Sequence, residues 1–279
     1  APVPVEGLTM ERIGLMMGRE TGLRMPLADF EALRDRLSAC EFIDATAIVQ
    51  RQRMVKSEAE IALIGEICSI ASKSFEAAPD LFREGQTLSD AFRAFKIELL
   101  KNGAEDVPYL VGGAGQGGYG DVISPSGEDW LEAGDVLMLD TGATLRGYFC
   151  DFDRNFAIGH ASPDARRAHD TLWRATEAAL AKARPGVTCR DLFEAMAAII
   201  GDSGGDVGRY GHGIGMQLTE PPSLVGFDET MLEPGMVITL EPGIRIGPGR
   251  IMVHEENIVI RDGEAQLLTV RAPRELPVI

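Results

Sequence analysis

Several things are scarce in this chain of 279 residues, and each scarcity removes a class of function. Positive charge is the first: 27 Lys and Arg against 43 Asp and Glu leave a formal net charge of −16. A nucleic-acid binder usually presents a basic face, so no nucleic-acid partner is expected. The acidic excess reads as a solubilising surface, with some acids left over to hold cations. Long apolar runs are also missing. None approaches the ~20 residues that span a bilayer, and no membrane partner is expected. The opening residues carry no basic-then-apolar signal segment. Cysteines number four, Cys40, Cys68, Cys150 and Cys189, far apart and without a C-x-x-C pair. They read as reduced, mostly buried thiols of a cytoplasmic protein. None sits in the basic setting that would activate a nucleophile.

What the chain does have is a carboxylate pattern that occurs twice. Gly134–Gly142 reads G-D-V-L-M-L-D-T-G, and Gly235–Gly243 reads G-M-V-I-T-L-E-P-G. In each, an apolar strand-like run ends in an acid, Asp140 or Glu241, with glycine two residues on. A second strand-like run then brings another acid, Asp151 eleven positions after Asp140 and Glu255 fourteen after Glu241. Burying acids at strand ends is costly unless a cation compensates them. Two matched pairs point to a metal site built by an internal repeat.

The order of elements repeats as well. Leu27–Ser38 reads as a helix, and Phe42–Val49 as a strand or linker. Ser57 and Glu60 form a capping box ahead of a helical stripe of Ile61, Ile64, Cys68, Ala71 and Phe75. Thr87 opens a second helix that stops at Gly103. Ser162 with Pro163 opens a third, striped by Ala168, Leu172, Ala175 and Ala179 and ended by Pro185-Gly186. Thr188 with Asp191 opens a fourth, carrying Leu192, Met196 and Ile199 and stopping near Gly201. Strand-like runs fill 106–112, 135–140, 146–157, 236–241 and 250–260. Helix pair, strands, helix pair, strands is the pattern of a duplicated α+β domain with helices covering one face of a curved antiparallel sheet. Residues 51–279 are expected to form that domain. Residues 1–50 are expected to be the end of an N-terminal domain plus linker.

His212, flanked by glycines in Tyr210–Gly215, is the nitrogen candidate for the site. One imidazole with four carboxylates and no thiolate suits two divalent ions such as Mn, Co, Fe or Zn. Two such ions about 4 Å apart deprotonate a bridging water and polarise a carbonyl. Asp153 shares a strand face with Asp151 and reads either as a ligand or as a partner for Arg154. Glu256 should point away from Glu255.

These residues resemble a known family, the pita-bread metallohydrolases: methionine aminopeptidase, aminopeptidase P, prolidase and creatinase-like relatives. The matching segments are L-D-T-G-A at 139–143, G-Y-F-C-D-F-D-R at 147–154, G-H-G-I-G at 211–215, L-E-P-G at 240–243 and H-E-E-N at 254–257. Met54-Val55-Lys56-Ser57 resembles the family's entry into its catalytic domain. The resemblance implies the pita-bread fold, α+β with a pseudo-twofold. It also implies a creatinase-like origin for the first residues, and homodimers are common among relatives with that extra domain. Carried over, Asp140, Asp151, His212, Glu241 and Glu255 match the five metal ligands. Glu255 is preferred to Glu256 because Ile258-Val259-Ile260 then falls in register. His212, Glu241 and Glu255 are the catalytic candidates, with Glu241 or Glu255 as proton shuttle. The implied activity is that of an Xaa-Pro-type metallopeptidase, whose metal-bridging hydroxide attacks an amide of a small peptide.

The chain also departs from the pattern. Thr219 stands seven residues after His212, where peptidase members usually have histidine. Ile123 stands about where a second substrate-facing histidine is expected, and Arg245 where many relatives have tyrosine. Tyr109, Tyr119, Tyr210, Thr219 and Arg245 become the substrate-contact candidates. The departures keep open a creatinase-like C–N hydrolase of a small non-peptide amide, or a lyase acting on a small zwitterion. A catalytically silent binding module is a third reading, opposed by the complete ligand set.

Three other features are read as bystanders. Gly113–Gly118 fits G-x-G-x-x-G, but no helical stripe follows as dinucleotide binding requires, so a mobile loop beside the site is expected. Gly201–Gly205 resembles a protease nucleophile segment but should only stop a helix. Trp130 and Trp173 are expected to pack, His160 and His169 to lie at the surface, and His254 to face away from Glu255.

Overall fold

The computed structural model describes residues 11–18, 21–201 and 208–279. The chain divides into two compact units, residues 1–53 and 54–279. In the first, strands β1 (Arg12–Leu15) and β2 (Glu41–Asp44) pair in parallel, and helix α1 (Leu27–Arg36) lies between them in sequence. The segment expected as strand or linker over 42–49 changes course at Asp44. Its side chain accepts from Thr46 N at 2.9 Å, and helix α2 (Thr46–Met54) begins there.

The second unit carries the repeat. Helix α3 (Glu58–Glu76) opens with the capping box read from sequence: Ser57 N donates to Glu60 Oε2 at 2.7 Å and Glu60 N to Ser57 Oγ at 3.4 Å. Its stripe of Ile61, Ile64, Cys68, Ala71 and Phe75 is buried. A one-turn helix, α4 (Ala78–Leu81), leads to α5 (Leu88–Asn102), capped by Thr87 and stopped by Gly103 in a left-handed conformation. Helices α6 (Pro163–Lys182) and α7 (Cys189–Ile200) repeat the arrangement. Ser162 caps α6, and Thr188 forms a capping box with Asp191 at α7. Of the glycine-rich segment after α7, only Gly201 lies among the described residues. None of the described helices is long and apolar enough to cross a membrane.

The strands form two larger antiparallel sheets, and both sheets send side chains into the core under each helix pair. The first is built from β3 (Asp106–Gln116), β4 (Asp135–Leu145), β5 (Tyr148–Phe149) and β6 (Phe152–Ala157), with β4 pairing all three others. The second runs β13-β12-β9-β7-β8, from β7 (His212–Gly213), β8 (Glu220–Ser223), β9 (Val237–Leu240), β12 (Glu256–Val259) and β13 (Gln266–Leu267). A hairpin of β10 (Gly243–Gly247) and β11 (Arg250–Val253) adjoins it in sequence. Strand β4 is buried on both faces: Leu137 and Leu139 join the core under α3 and α5, while Val136 and Met138 join the core under α6 and α7. Fully burying side chains of this size contributes roughly 1.5–3 kcal/mol each. Asp140 is thereby locked into the middle of the sheet.

Two expected strands are each broken once. The run 146–157 is interrupted at Cys150-Asp151, and 250–260 at His254-Glu255. Each break falls on one of the acids picked out by the repeat. The glycine-rich segment 113–118, expected as a mobile loop, is instead largely strand: β3 continues to Gln116 against β4. Gly112 explains the close pairing, because a Cβ there would collide with the Met138 carbonyl. No helix follows, as the rejected nucleotide motif would have required.

Candidate metal centre

The repeat brings its four acids and His212 to one place. Asp140 sits mid-strand in β4, opposite Val111 of β3 and Asp153 of β6. Asp151 occupies the break before β6, and Glu255 the break before β12. Glu241 follows the last residue of β9, with its N–H donating to the Tyr210 carbonyl at 3.0 Å. His212 opens β7. Its main chain passes so close to β9 that a Cβ on Gly211 would strike the Thr239 carbonyl. Thr239 Oγ1 accepts from His212 N at 3.2 Å.

The imidazole is oriented. His212 Nδ1 lies 2.9 Å from the Gly213 carbonyl. A carbonyl can only accept, so Nδ1 donates, and Nε2 is the ring atom turned to the acids. It lies 3.3 Å from Asp151 Oδ2 and 3.9 Å from Glu241 Oε2. One ligand-type atom from each of Asp151, His212 and Glu255 lies within 4.8 Å of the others. Asp140 Oδ1 and Glu255 Oε1 are buried without a hydrogen-bond partner. Burial raises the carboxyl pKa values of Asp140, Asp151 and Glu255 well above the ordinary range, and that of Glu241 less so; neighbouring acids push Asp140, Asp151 and Glu255 further. So many acids in one dry space are stable only with protons or cations among them. Oxygen and imidazole donors with unsatisfied lone pairs fit a divalent ion.

The flanking acids separate cleanly. Glu256 is spent on structure: its carboxylate takes Arg154 Nη2 at 3.0 Å, Ala272 N at 2.9 Å and the Thr269 hydroxyl. Arg154 therefore pairs with the Glu256 carboxylate and meets Asp153 at its main-chain carbonyl, at 2.6 Å. Asp153 is buried beside the cluster, accepts a main-chain hydrogen bond from Glu255, and is pushed up to about 8 chiefly by burial.

The substrate-side candidates scatter. Tyr109, half-buried on β3, hydrogen-bonds Asp140, and burial together with the acids raises its pKa. Thr219 is half-buried before β8, and its Oγ1 accepts from Arg209 Nη2 at 3.3 Å. The Tyr210 ring is buried and stacks on Phe193 at 4.7 Å, so its side chain belongs to the core. Tyr119 is likewise structural: its hydroxyl donates to Asn155 at 3.1 Å and accepts from Val253 N at 2.6 Å. Arg245 and Ile123 are exposed. Two bystander expectations are corrected. His169 is buried, 3.0 Å from the Pro273 carbonyl and edge-on to the buried His254. Trp130 is 64% exposed, while Trp173 packs under Arg271.

Three groups around the site escaped the sequence reading. Asn257 clamps Asp151 from the other half: its Oδ1 accepts from Asp151 N at 3.0 Å, and its Nδ2 donates to Asp151 O. Lys56 and Glu220 form a buried ion pair at 3.4 Å against Gly215. Arg209 is a half-buried cation whose field opposes the upward shifts of Asp151 and Glu241. Asn257 and Lys56 lay inside matching segments, but nothing in the sequence showed whom they would touch.

Fold and site together define a metal-dependent hydrolase of duplicated α+β architecture. The profile of Metallopeptidase family M24 matches residues 62–262. An Xaa-Pro dipeptidase of Pyrococcus horikoshii is 31% identical over 271 residues, covering 93% of this chain and 74% of the relative. The probable dipeptidase PepE of Mycobacterium tuberculosis is 30% identical over 91% of this chain and 68% of its own length. Among solved structures, the X-Pro aminopeptidase from Thermotoga maritima superposes with a TM-score of 0.86 at 28% identity, over 96% of this chain and 75% of that one. The prolidase from Pyrococcus furiosus does so with 0.83 at 25%, over 94% and 77%. The chain belongs to metallopeptidase family M24, and its fold is the pita-bread fold.

Proposed function

We propose that the chain is an Xaa-Pro-type peptidase whose Asp140, Asp151, His212, Glu241 and Glu255 hold two divalent ions, drawn from Mn, Co, Fe or Zn. The supporting observation is His212 Nε2 turned to Asp151 and Glu241, beside the partnerless oxygens of Asp140 and Glu255, in a chain of this family. A divalent pair supplies Lewis acidity toward an amide carbonyl and toward water. The protein supplies position. Asn257 holds the Asp151 main chain, Arg154 Nη1 holds the Glu255 carbonyl at 2.9 Å, and Gly213 fixes the His212 tautomer. Glu241 is the more open glutamate, with its side chain 27% exposed against 1% for Glu255 as a whole, which makes its carboxylate the better placed to pass a proton to a leaving nitrogen. Tyr109 and Thr219 are the candidate substrate contacts. The free thiols suit a reducing compartment, the cytoplasm.

The test is metal analysis followed by a panel of Xaa-Pro dipeptides with Mn or Co. Two ions per chain and turnover of dipeptides are expected. Bound metal with no dipeptide cleaved would move the assignment to a small non-peptide amide. A protein that stays metal-free under saturating Mn would remove the enzyme reading.

A further inference from the structure

Asp151 and Glu255 sit where their strands are interrupted, so their main chain needs partners from outside the ladder. Asp151 N donates to Asn257 Oδ1 at 3.0 Å, and the Asp151 carbonyl accepts from Asn257 Nδ2. The Glu255 carbonyl accepts from Arg154 Nη1 at 2.9 Å. Both of these holders are in turn tied to helix α3. The Cys68 thiol donates to the same Asn257 Oδ1 at 3.3 Å. The Ser72 hydroxyl oxygen accepts from Val270 N at 3.1 Å, and the Val270 carbonyl accepts from Arg154 Nη2 at 2.6 Å. Cys68 and Ser72 are four residues apart and lie one above the other on a single face of the helix. Both are buried. Burial pushes the Cys68 pKa well up, which keeps on the sulfur the proton that it donates.

We propose that this one turn of α3 positions the acids at both breaks: Cys68 acts on Asp151 through Asn257, and Ser72 acts on Glu255 through Val270 and Arg154. The inference rests on the metal-centre reading above and adds the element that sets one half's acid against the other's. Helix α3 suits the task. It is 19 residues long, capped by the Ser57–Glu60 box, with its apolar stripe buried. Groups carried on such an element are placed more exactly than groups on a loop. The Asn257 amide is oriented from two sides, because the Asp151 N–H and the Cys68 thiol both call for an oxygen at the same place. Cys68 and Ser72 are positioning residues, and neither is itself a ligand candidate.

The Mn affinity of the full chain, measured by competition with a chelator, makes the test, with Tm read alongside. Cys68→Ala and Cys68→Val should each weaken Mn binding roughly 2- to 10-fold, the span of one hydrogen bond, although Val fills the space that Ala leaves. Cys68→Ser, which keeps a donor, should lose less. Ser72→Ala should weaken binding by a similar factor. In an Asn257→Ala background the Cys68 substitutions should have no further effect, and in an Arg154→Met background neither should Ser72→Ala. Ser57→Ala weakens α3 at its cap without touching either chain of contacts, so it should lower Tm alone. Wild-type affinity in Cys68→Val or in Ser72→Ala overturns the proposal, as do additive effects in either background. If Cys68→Val does not fold, Cys68→Ala takes its place. Should the wild type bind no Mn, the metal-centre reading fails separately. Hydrogen exchange at the Asp151 amide then decides the positioning role. Faster exchange in Cys68→Val than in Ser57→Ala upholds it; equal exchange in the two rejects it.

Discussion

The two halves of the catalytic unit solve one problem with different geometry. In the first, Asp140 stands inside a fully paired strand and Asp151 at a break. In the second, Glu241 stands just past a strand end and Glu255 at a break. The short side chain comes from within the sheet, and the longer one reaches in from its margin. What the halves share is mutual support. Asn257 of the second half fixes Asp151 of the first, while Arg154 and Asp153 of the first fix the main chain of Glu255 in the second. Neither pair of acids is held by its own half alone.

Removing a proposed metal ligand should have the largest effect and should not depend on which half is touched. We expect His212→Ala to reduce metal-dependent turnover to background in a metal-saturated assay. Wild-type-like rates would overturn the site. The clamps come next. Arg154→Met takes the nearest guanidinium from buried Glu256 and leaves it Ala272 N, the Thr269 hydroxyl and Arg271 Nη1 at 3.9 Å; the loss should cost about 1.5–3 kcal/mol, the worth of a hydrogen bond to a charged group, read as a shift in the denaturation midpoint. Asn257→Ala should weaken Mn binding roughly 10- to 100-fold, the usual effect of losing a group that orients a ligand. An unaltered affinity would mean that Asp151 is held by its own half.

A pH effect separates metal-free from loaded protein. The raised carboxyl pKa values mean that the folded, metal-free chain keeps protons the unfolded chain has already lost. Its stability should therefore fall as pH rises from the ordinary carboxylate range through the raised values, with Asp153 contributing near pH 8. Saturating Mn binds the deprotonated fold, so the gap in Tm between loaded and metal-free protein should widen with pH. A constant gap would contradict the cluster's electrostatics. The smallest expected effect is symmetric. Ser57→Ala and Thr188→Ala, at the capping boxes of the two halves, should each cost ~1 kcal/mol in thermal denaturation and leave Mn affinity unchanged.

The four long helices of the catalytic unit were legible because local rules decide them. Caps at Ser57, Thr87, Ser162 and Thr188 sit where their side chains can reach the next turn, and the apolar stripes fix the buried face. Strands β7, β8 and β13 were not, since two glycine-flanked residues or a Pro-Pro pair carry no period of two; only their neighbours make them strands. The acids could be read because they repeat. The side chains that hold them could not. Arg154 and Asn257 act across about a hundred residues of sequence, and a guanidinium or an amide does not announce its partner. Tyr210 and Tyr119 show the converse: tyrosines near a motif looked like substrate contacts, yet the packing of Phe193 and the polar links to β11 use them in the core.

The central claim is that five side chains from two half-sheets converge to hold a pair of cations. Anomalous diffraction from Mn-loaded crystals tests it most directly. The account requires two peaks, both bounded by Asp140, Asp151, His212, Glu241 and Glu255. A single peak elsewhere, or none among these residues, would contradict it.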